Sequence, residues 1–216
     1  TTLFRSGIDN EIEILSAQDL ATQAVIDMKC YVNYYHKGTF KDQLVYKEQE
    51  VNVNLDLAHL KKLNAPIKLK IEKDGNQYLV TGSYYIPVDA FSSEKEPVKI
   101  EKTLASLPAS INTRVGTLSF TKNGNFKLKD GESLKAIIVS PDMAASGYAK
   151  ALAVSQTSKT TTIAELVLKD EDPQRSIDYL NTLIKVYNRQ ANEDKNEISF
   201  RTEQFINQRL ERSEEH

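Results

Sequence analysis

The sequence predicts an α+β fold, because two kinds of hydrophobic periodicity occupy different parts of its 216 residues. Apolar residues recur at helical spacing near both ends, whereas apolar and polar residues alternate with a period of two in the middle. Asp-Gly and Asn-Gly pairs in the middle supply the positive φ angles of tight hairpin turns. We therefore expect a mixed α/β base formed by residues 1–40 and 141–216, with an inserted antiparallel β-module at 41–140.

Near the N-terminus, the pattern predicts one helical stretch over residues 8–28 that is interrupted near Ser16. Asp9 is expected to cap the first part, and Ser16 followed by Asp19 resembles a second capping arrangement. The apolar stripe continues on both sides of the interruption. Its members are Ile8, Ile12, Leu15, Leu20, Val25 and Met28.

In the middle of the chain, residues 51–55 and 67–71 alternate between apolar and polar side chains and are predicted strands. The segment Lys73-Asp-Gly-Asn76 is predicted to turn the second of these strands into a hairpin with residues 78–80. Asn123-Gly124 predicts a second hairpin, between residues 118–120 and 126–128. Residues 91–97 are expected to form a loop.

Towards the C-terminus, a short helix is predicted from Pro141 to Tyr148, followed by strands near 152–155 and 161–168. Asp172 then precedes Pro173, which suits the first position of a helix because the missing N–H has no partner there. A helix is therefore predicted over residues 173–190. A second periodic run predicts further helix from Ile198 to the end of the chain.

Composition and motifs exclude several classes of function. The chain carries 28 Lys and Arg residues against 30 Asp and Glu residues, so it has no excess positive charge with which to bind nucleic acid. Cys30 is the only cysteine, which excludes a disulfide framework and a thiolate metal site. The sequence contains no phosphate-binding loop, zinc-peptidase motif, nucleophile elbow or dinucleotide fingerprint. It therefore predicts no cofactor and no metal.

The remaining candidate chemistry is weak. The three histidines, His36, His59 and His216, are far apart in the sequence and read as isolated surface residues. Carboxylate pairs at Glu94 and Glu96 and at Asp170 and Asp172 invite comparison with glycosidases, but the first lies in a lysine-containing loop and the second at a helix start.

Tyrosine clusters offer a different possibility. The rings of Tyr84 and Tyr85 are candidates for contacts with glycans, because an aromatic face packs against the apolar face of a pyranose. The cluster Tyr31, Tyr34 and Tyr35 is open to the same interpretation, and core packing is the simpler role for both groups.

Two segments resemble a known family. Residues 8–16, IDNEIEILS, followed by the aromatic segment Tyr31–Tyr35, look like the opening helices of the polysaccharide co-polymerase (chain-length determinant) domain. Residues 163–168, IAELVL, then Asp172-Pro173 and Leu180-Asn181, resemble its late strand and helix. The positions that carry the resemblance are Asp9, Asn10, Glu11, Ser16, Asp172, Pro173 and Asn181.

The resemblance is closest to the version associated with bacterial tyrosine autokinases of capsule and exopolysaccharide synthesis. It implies a non-enzymatic extracytoplasmic domain at the periplasmic face of the inner membrane, excised from a parent with flanking transmembrane helices and often a cytoplasmic kinase domain. The implied partners are further copies of the protein, the polysaccharide polymerase, the outer-membrane export machinery and the polysaccharide itself.

In this interpretation the functional surfaces are interfaces between subunits. Charged positions on the two matching segments are candidates, because salt-bridge registry between neighbours would orient subunits. These candidates are Glu11, Glu13, Arg175 and Arg209. The alternative hypothesis is a soluble glycan-binding or adaptor module that uses its tyrosine-rich strands.

Overall fold

The computed structural model describes residues 7–160, 162–191 and 199–206, which form five helices and twelve strands. The predicted α+β class is confirmed. The helices are α1 (Gly7–Leu15), α2 (Gln18–Met28), α3 (Leu57–Lys62), α4 (Pro141–Ala151) and α5 (Pro173–Gln190). The first six strands are β1 (Val32–His36), β2 (Gln43–Val45), β3 (Val51–Asn54), β4 (Ile67–Asp74), β5 (Gln77–Tyr84) and β6 (Val98–Leu104). The others are β7 (Ala109–Thr113), β8 (Gly116–Lys122), β9 (Ser133–Ile138), β10 (Leu152–Gln156), β11 (Ile163–Asp170) and β12 (Ser199–Ile206).

The chain divides into two compact units. The first, here called the base unit, contains the described residues up to Lys29 and from Asp142 onward, and the second, the β-unit, is the continuous segment Cys30–Pro141. Residues 30–40, which the sequence analysis grouped with the base, belong to the β-unit. The reason is that β1 pairs with β2 and β9 in its largest sheet.

The base unit packs helices on a three-stranded sheet with the order β10-β11-β12. Strand β10 pairs antiparallel to β11, and β12 pairs parallel to it. Helix α5 lies against β11, β12 and α2, and α1 lies against β10. Fully buried aliphatic side chains from α2, β11 and α5 form the core, including Ala24, Val25, Leu166, Leu168, Leu183 and Val186.

The predicted interruption of the N-terminal helix is confirmed, but its predicted caps are wrong. Helix α1 ends at Leu15 and α2 begins at Gln18. Because α1 begins at Gly7, Asp9 lies inside its first turn, where a carboxylate interacts favourably with the helix dipole. The N-cap of α2 is Ala17 rather than Ser16, and no side chain caps it.

The predicted C-terminal helix is wrong over residues 199–206, which form β12. This segment pairs with β11 along its whole length, from Ile163 opposite Ser199 to Asp170 opposite Ile206. The backbone ladder, together with edge-to-face packing of Phe200 on Tyr187 at 5.8 Å, outweighs the helical spacing of its apolar residues. The remainder of the predicted helix lies outside the described residues.

The β-unit contains a six-stranded antiparallel sheet, ordered β2-β1-β9-β4-β5-β6, and a three-stranded sheet, ordered β3-β8-β7. Alternate residues of β3, β4 and β9 are buried, as period-two patterning requires. The fully buried side chains include Ile67, Leu69, Ile71, Val80, Leu134 and Ile138 from the larger sheet and Val51, Leu118 and Phe120 from the smaller one.

One of the two predicted hairpins is confirmed. Strands β4 and β5 pair across Asp74–Gln77, with Gly75 at φ 60°. The hairpin predicted across Asn123-Gly124 is wrong, because β8 pairs with β3 and β7 instead. Asn123 is held by the carbonyl groups of Lys47 and Glu50, so it anchors the end of β8 to the segment before β3. The predicted loop at 91–97 lies between β5 and β6.

Candidate functional site

The start of α5 contains Asp172 and Pro173 of the second family-like segment. Asp172 is the N-cap, and its Oδ1 accepts a hydrogen bond from the backbone N–H of Arg175 at 2.9 Å. Pro173 occupies the first helical turn as predicted, and the helix ends at Gln190. The predicted helix over residues 173–190 is therefore confirmed at both ends.

A buried ion pair fixes this helix start to the sheet. Asp170, the last residue of β11, is buried, and it accepts hydrogen bonds from two nitrogens of the Arg175 guanidinium, one of them Nε at 2.8 Å. This bidentate geometry holds the guanidinium in one orientation. Asp170 was predicted as part of a carboxylate pair at a helix start, but the sequence pattern gives no signal for its partner five residues later.

An aromatic stack completes the cluster. The Arg175 guanidinium lies 5.8 Å from the ring centroid of Tyr148 on α4. The rings of Tyr148 and Tyr179 stack with 4.3 Å between centroids and 13° between planes. These contacts connect β11, α4 and α5 through one cation and two rings. Arg175 therefore acts within the base unit as a connector between elements.

The two family-like segments also meet through α2 and α5. Arg189 Nη2 near the end of α5 lies 2.9 Å from Asp27 Oδ2 near the end of α2. At the other end of α2, Gln18 Nε2 donates to the Asp142 carbonyl at 2.9 Å, and about one turn later Thr22 Oγ1 donates to Asp142 Oδ1 at 2.9 Å, which connects α2 to the first turn of α4. Polar contacts thus fix both ends of α2 in the base unit.

The candidate interface residues differ in exposure. Glu11 is buried, and Arg175 is engaged with Asp170, so neither presents its charge to a neighbouring subunit. Glu13 is exposed on α1, next to the partly exposed Ile14. Arg209 lies outside the described residues. Of the remaining family-like positions, Asn10, Ser16 and Asn181 are exposed and Asp9 is half-buried.

The two tyrosines proposed as glycan contacts, Tyr84 and Tyr85, differ in how deeply they are buried. Tyr84 is only 3% exposed, and its hydroxyl accepts a hydrogen bond from the backbone N–H of Arg114 at 3.0 Å. Its ring is therefore part of the core and is closed to a sugar. Tyr85 is 38% exposed and begins the loop between β5 and β6.

The N-terminal tyrosine cluster is also used inside the β-unit. The Tyr31 hydroxyl donates to Asn54 Oδ1 at 2.8 Å. The Tyr34 hydroxyl accepts from the Val53 N–H at 2.8 Å and donates to the Val53 carbonyl at 3.3 Å. Burial raises the pKa of Tyr34 to about 12, and the nearby Tyr31 adds to the rise, although the hydrogen bond with Val53 opposes it. Both tyrosines connect the β1 region to β3.

A second buried ion pair lies in the β-unit. Glu50 precedes β3 with a side chain only 1% exposed, and its Oε1 lies 2.8 Å from Lys73 Nζ at the end of β4. The hydrogen bond from Lys73 to Glu50 raises the pKa of the lysine ammonium group. Lys73 Nζ also lies 5.5 Å from the ring centroid of Tyr78. No local pattern in the sequence connects these residues, because Glu50 lies 23 residues before Lys73.

The described residues show no arrangement typical of a metal centre. Over the ranges 7–160, 162–191 and 199–206, no three His, Cys, Asp or Glu side chains come together in a way that could hold a metal ion. His59 Nδ1 lies 2.6 Å from Asp56 Oδ1, but Asp56 is the N-cap of α3, so this pair serves a helix start. No described helix combines the length and apolarity needed to cross a membrane.

Comparison with known proteins adds no family assignment. No family model matches this sequence. No curated protein shows significant similarity to it.

Proposed function

We propose that the chain is the extracytoplasmic base domain of a polysaccharide co-polymerase, of the type associated with bacterial tyrosine autokinases. In this role it helps to regulate the length and export of capsular or exopolysaccharide at the periplasmic face of the inner membrane. The observation that supports the proposal is that residues 8–16 of the first family-like segment and all of the second, about 150 residues apart in sequence, belong to one compact unit, although Tyr31–Tyr35 belong to the β-unit.

The contacts between these segments strengthen the proposal. Helix α2, which follows the first segment, packs along α5, which contains most of the second, and the Asp27–Arg189 ion pair joins their C-terminal ends. Strand β11 leads through Asp170 into the Asp172-Pro173 helix start. A strand, an Asp-Pro start and an Asn-bearing helix therefore follow one another in the base unit.

A co-polymerase base needs interfaces between subunits rather than catalytic groups. Among the described interface candidates, Glu13 is the exposed residue, and Ile14 beside it is 39% exposed. An exposed charge beside an exposed aliphatic residue suits the rim of a protein interface. We therefore propose that the exposed side of α1 contacts the neighbouring subunit in the membrane-embedded parent.

The test uses the membrane-embedded parent protein, purified with its native lipids and chemically crosslinked. The wild type is expected to form higher oligomers, and Glu13→Arg is expected to reduce them by about fivefold, because a reversed charge at an interface costs on the order of 1 kcal/mol. Glu101→Arg is the matched control, since Glu101 is an exposed glutamate on β6 of the other unit.

Two results would contradict the proposal. One is a parent gene that encodes no hydrophobic span on either side of this segment. The other is an unchanged length distribution of the cell-surface polysaccharide after deletion of the gene. The alternative hypothesis, glycan binding by strand tyrosines, is weakened by the burial of Tyr84.

A further inference from the structure

The loop between β5 and β6 carries an aromatic side chain that is almost fully exposed. We define the Phe91 loop as residues 85–97, YIPVDAFSSEKEP. Phe91 is 97% exposed and Val88 is 66% exposed. A ligand that covers such an exposed ring gains the free energy of burying it. Full burial of a side chain of this size is worth on the order of 2 to 3 kcal/mol.

Hydrogen bonds fix the backbone beneath Phe91. Asp89 Oδ1 accepts from the backbone N–H groups of Phe91 and Ser92, each at 2.8 Å. These hydrogen bonds, the first of them the largest cause, lower the pKa of Asp89. The Val88 N–H donates to the Ser92 carbonyl at 2.9 Å, and the Glu94 N–H donates to the Ile86 carbonyl at 2.8 Å.

A side chain from outside the loop holds it in place. Asn64 Nδ2 donates to the carbonyl groups of Asp89 at 3.0 Å and Ser92 at 2.6 Å, and Asn64 Oδ1 accepts from Ser93 Oγ. Asn64 thus uses both its amide nitrogen and its oxygen to hold the two sides of the turn. The backbone that carries the Phe91 ring is therefore already ordered. Because of this, ligand binding there requires little further loss of conformational entropy from the loop.

The charges around the ring select the class of ligand. The loop carries three carboxylates, at Asp89, Glu94 and Glu96, and one ammonium group, at Lys95. This excess of negative charge repels acidic sugars and anionic lipid surfaces. It suits neutral sugars, because exposed carboxylates at Glu94 and Glu96 accept hydrogen bonds from sugar hydroxyl groups and the ring packs on the apolar pyranose face.

We propose that the Phe91 loop is a binding site for neutral glycan segments, with Phe91 as the stacking platform. That the glycan is the cell's own exported polysaccharide rests on the proposed function. The contact itself rests only on the loop.

The first experiment applies the whole chain to an array of neutral and acidic oligosaccharides and follows retained neutral glycans by titration in solution. Phe91→Ala is expected to weaken binding about tenfold, since the loss of a stacked ring is worth roughly 1.4 kcal/mol. Phe40→Ala is the matched control, because Phe40 is 100% exposed on the connection between β1 and β2 and lies outside the Phe91 loop.

The second variant separates the platform from its support. Asp89→Ala removes the acceptor of two backbone hydrogen bonds but leaves the ring, so binding should weaken about fivefold through lost preorganisation. The proposal is overturned if no neutral glycan is retained by the wild type, if acidic glycans are preferred, or if Phe91→Ala binds as well as Phe40→Ala.

Self-association is the competing outcome. If sedimentation equilibrium shows a dimer that Phe91→Ala abolishes, and glycans do not compete with it, the loop contacts a second copy and the glycan assignment is wrong. The Glu13 experiment does not depend on this loop. Failure of glycan binding with intact oligomers in the membrane would therefore overturn the glycan site alone.

Discussion

At the scale of single residues, buried tyrosine hydroxyl groups connect the two sheets of the β-unit. Tyr34 on β1 meets Val53 on β3, and Tyr84 on β5 meets Arg114 in the turn between β7 and β8. In each case the hydroxyl oxygen accepts a hydrogen bond from a backbone N–H of the other sheet or its turn. Tyrosine is suited to this role because its ring fills core volume while its hydroxyl forms a directed contact.

Replacing Tyr34 by Phe is expected to lower the free energy of unfolding by about 1–3 kcal/mol, because the buried Val53 N–H loses its acceptor. Chemical denaturation measured by circular dichroism provides the value. Tyr85→Phe is the matched control, since Tyr85 is 38% exposed and begins the loop after β5. Equal effects of the two substitutions would contradict the role assigned to the Tyr34 hydroxyl.

The same hydroxyl gives the protein an alkaline dependence of stability. The pKa of Tyr34 rises from 10.0 to about 12 in the folded protein, so the folded state keeps this proton longer than the unfolded state. The corresponding stabilisation is complete below pH 10 and is lost as the pH rises from 10 to 12, in total about 3 kcal/mol. The decrease in unfolding free energy from pH 9 to pH 11.5 should therefore be larger for the wild type than for Tyr34→Phe. Parallel slopes would contradict the shift.

The Glu50–Lys73 pair predicts an asymmetry between its two members. The Lys73 side chain is 16% exposed and Glu50 only 1%, so a lysine without its partner retains access to water whereas the carboxylate does not. Lys73→Met should therefore destabilise the protein by about 3 kcal/mol, more than Glu50→Gln does. The double variant should recover part of the loss. Urea denaturation of the four proteins tests this cycle, and equal costs for the two single variants would contradict it.

At the scale of secondary structure elements, the start of α5 depends on one carboxylate. Asp172→Ala removes the side-chain acceptor of the Arg175 N–H and is expected to cost about 1 kcal/mol of stability. Asp178→Ala is a control on the same helix, because Asp178 lies beyond the N-terminal turn. A shift of the denaturation midpoint that is no larger for Asp172→Ala than for this control would contradict the capping role.

Elements with local signals could be predicted from the sequence. The Asp172-Pro173 start, the interruption near Ser16 and the Asp-Gly hairpin each depend on residues a few positions apart, and all three are present. Strand β12 was missed because its pairing partner, β11, is some 36 residues earlier in the chain, and tertiary pairing overrode the helical spacing. The hairpin predicted at Asn123-Gly124 was wrong for the same reason, because the hydrogen-bond acceptors of Asn123 lie in the distant segment before β3.

The candidate sites were less predictable than the elements. Sequence spacing identified Asp172 and Pro173, but the engagement of Arg175 by Asp170 and the burial of Glu11 and Tyr84 depend on packing. The Phe91 loop carried only a loop signal, since exposure of an aromatic residue is decided by what the fold leaves uncovered. Polar side chains such as Asn64 that fix a loop from outside it cannot be identified from local pattern.

At the scale of the whole molecule, the β-unit has the topology of an inserted domain. Its two ends lie side by side, because Val32 pairs with Ile138 and the Val139 N–H donates to the Tyr31 carbonyl at 3.0 Å. A continuous segment with adjacent ends and its own buried core meets the requirements for independent folding. The base unit, by contrast, is assembled from two segments that the β-unit separates.

We therefore expect residues 30–141 to fold when expressed alone and the remaining segments to fold when Lys29 is joined to Asp142 by a short Gly-Ser linker. The amide NMR spectrum of each piece should be dispersed and should overlay the corresponding resonances of the whole chain, apart from residues near the new ends. The β-unit piece should also keep the glycan response of the Phe91 loop, since Asn64 and Asp89 both belong to it. An unfolded β-unit piece would mean that its core needs the base unit, and the insertion would then be a feature of connectivity without independent stability.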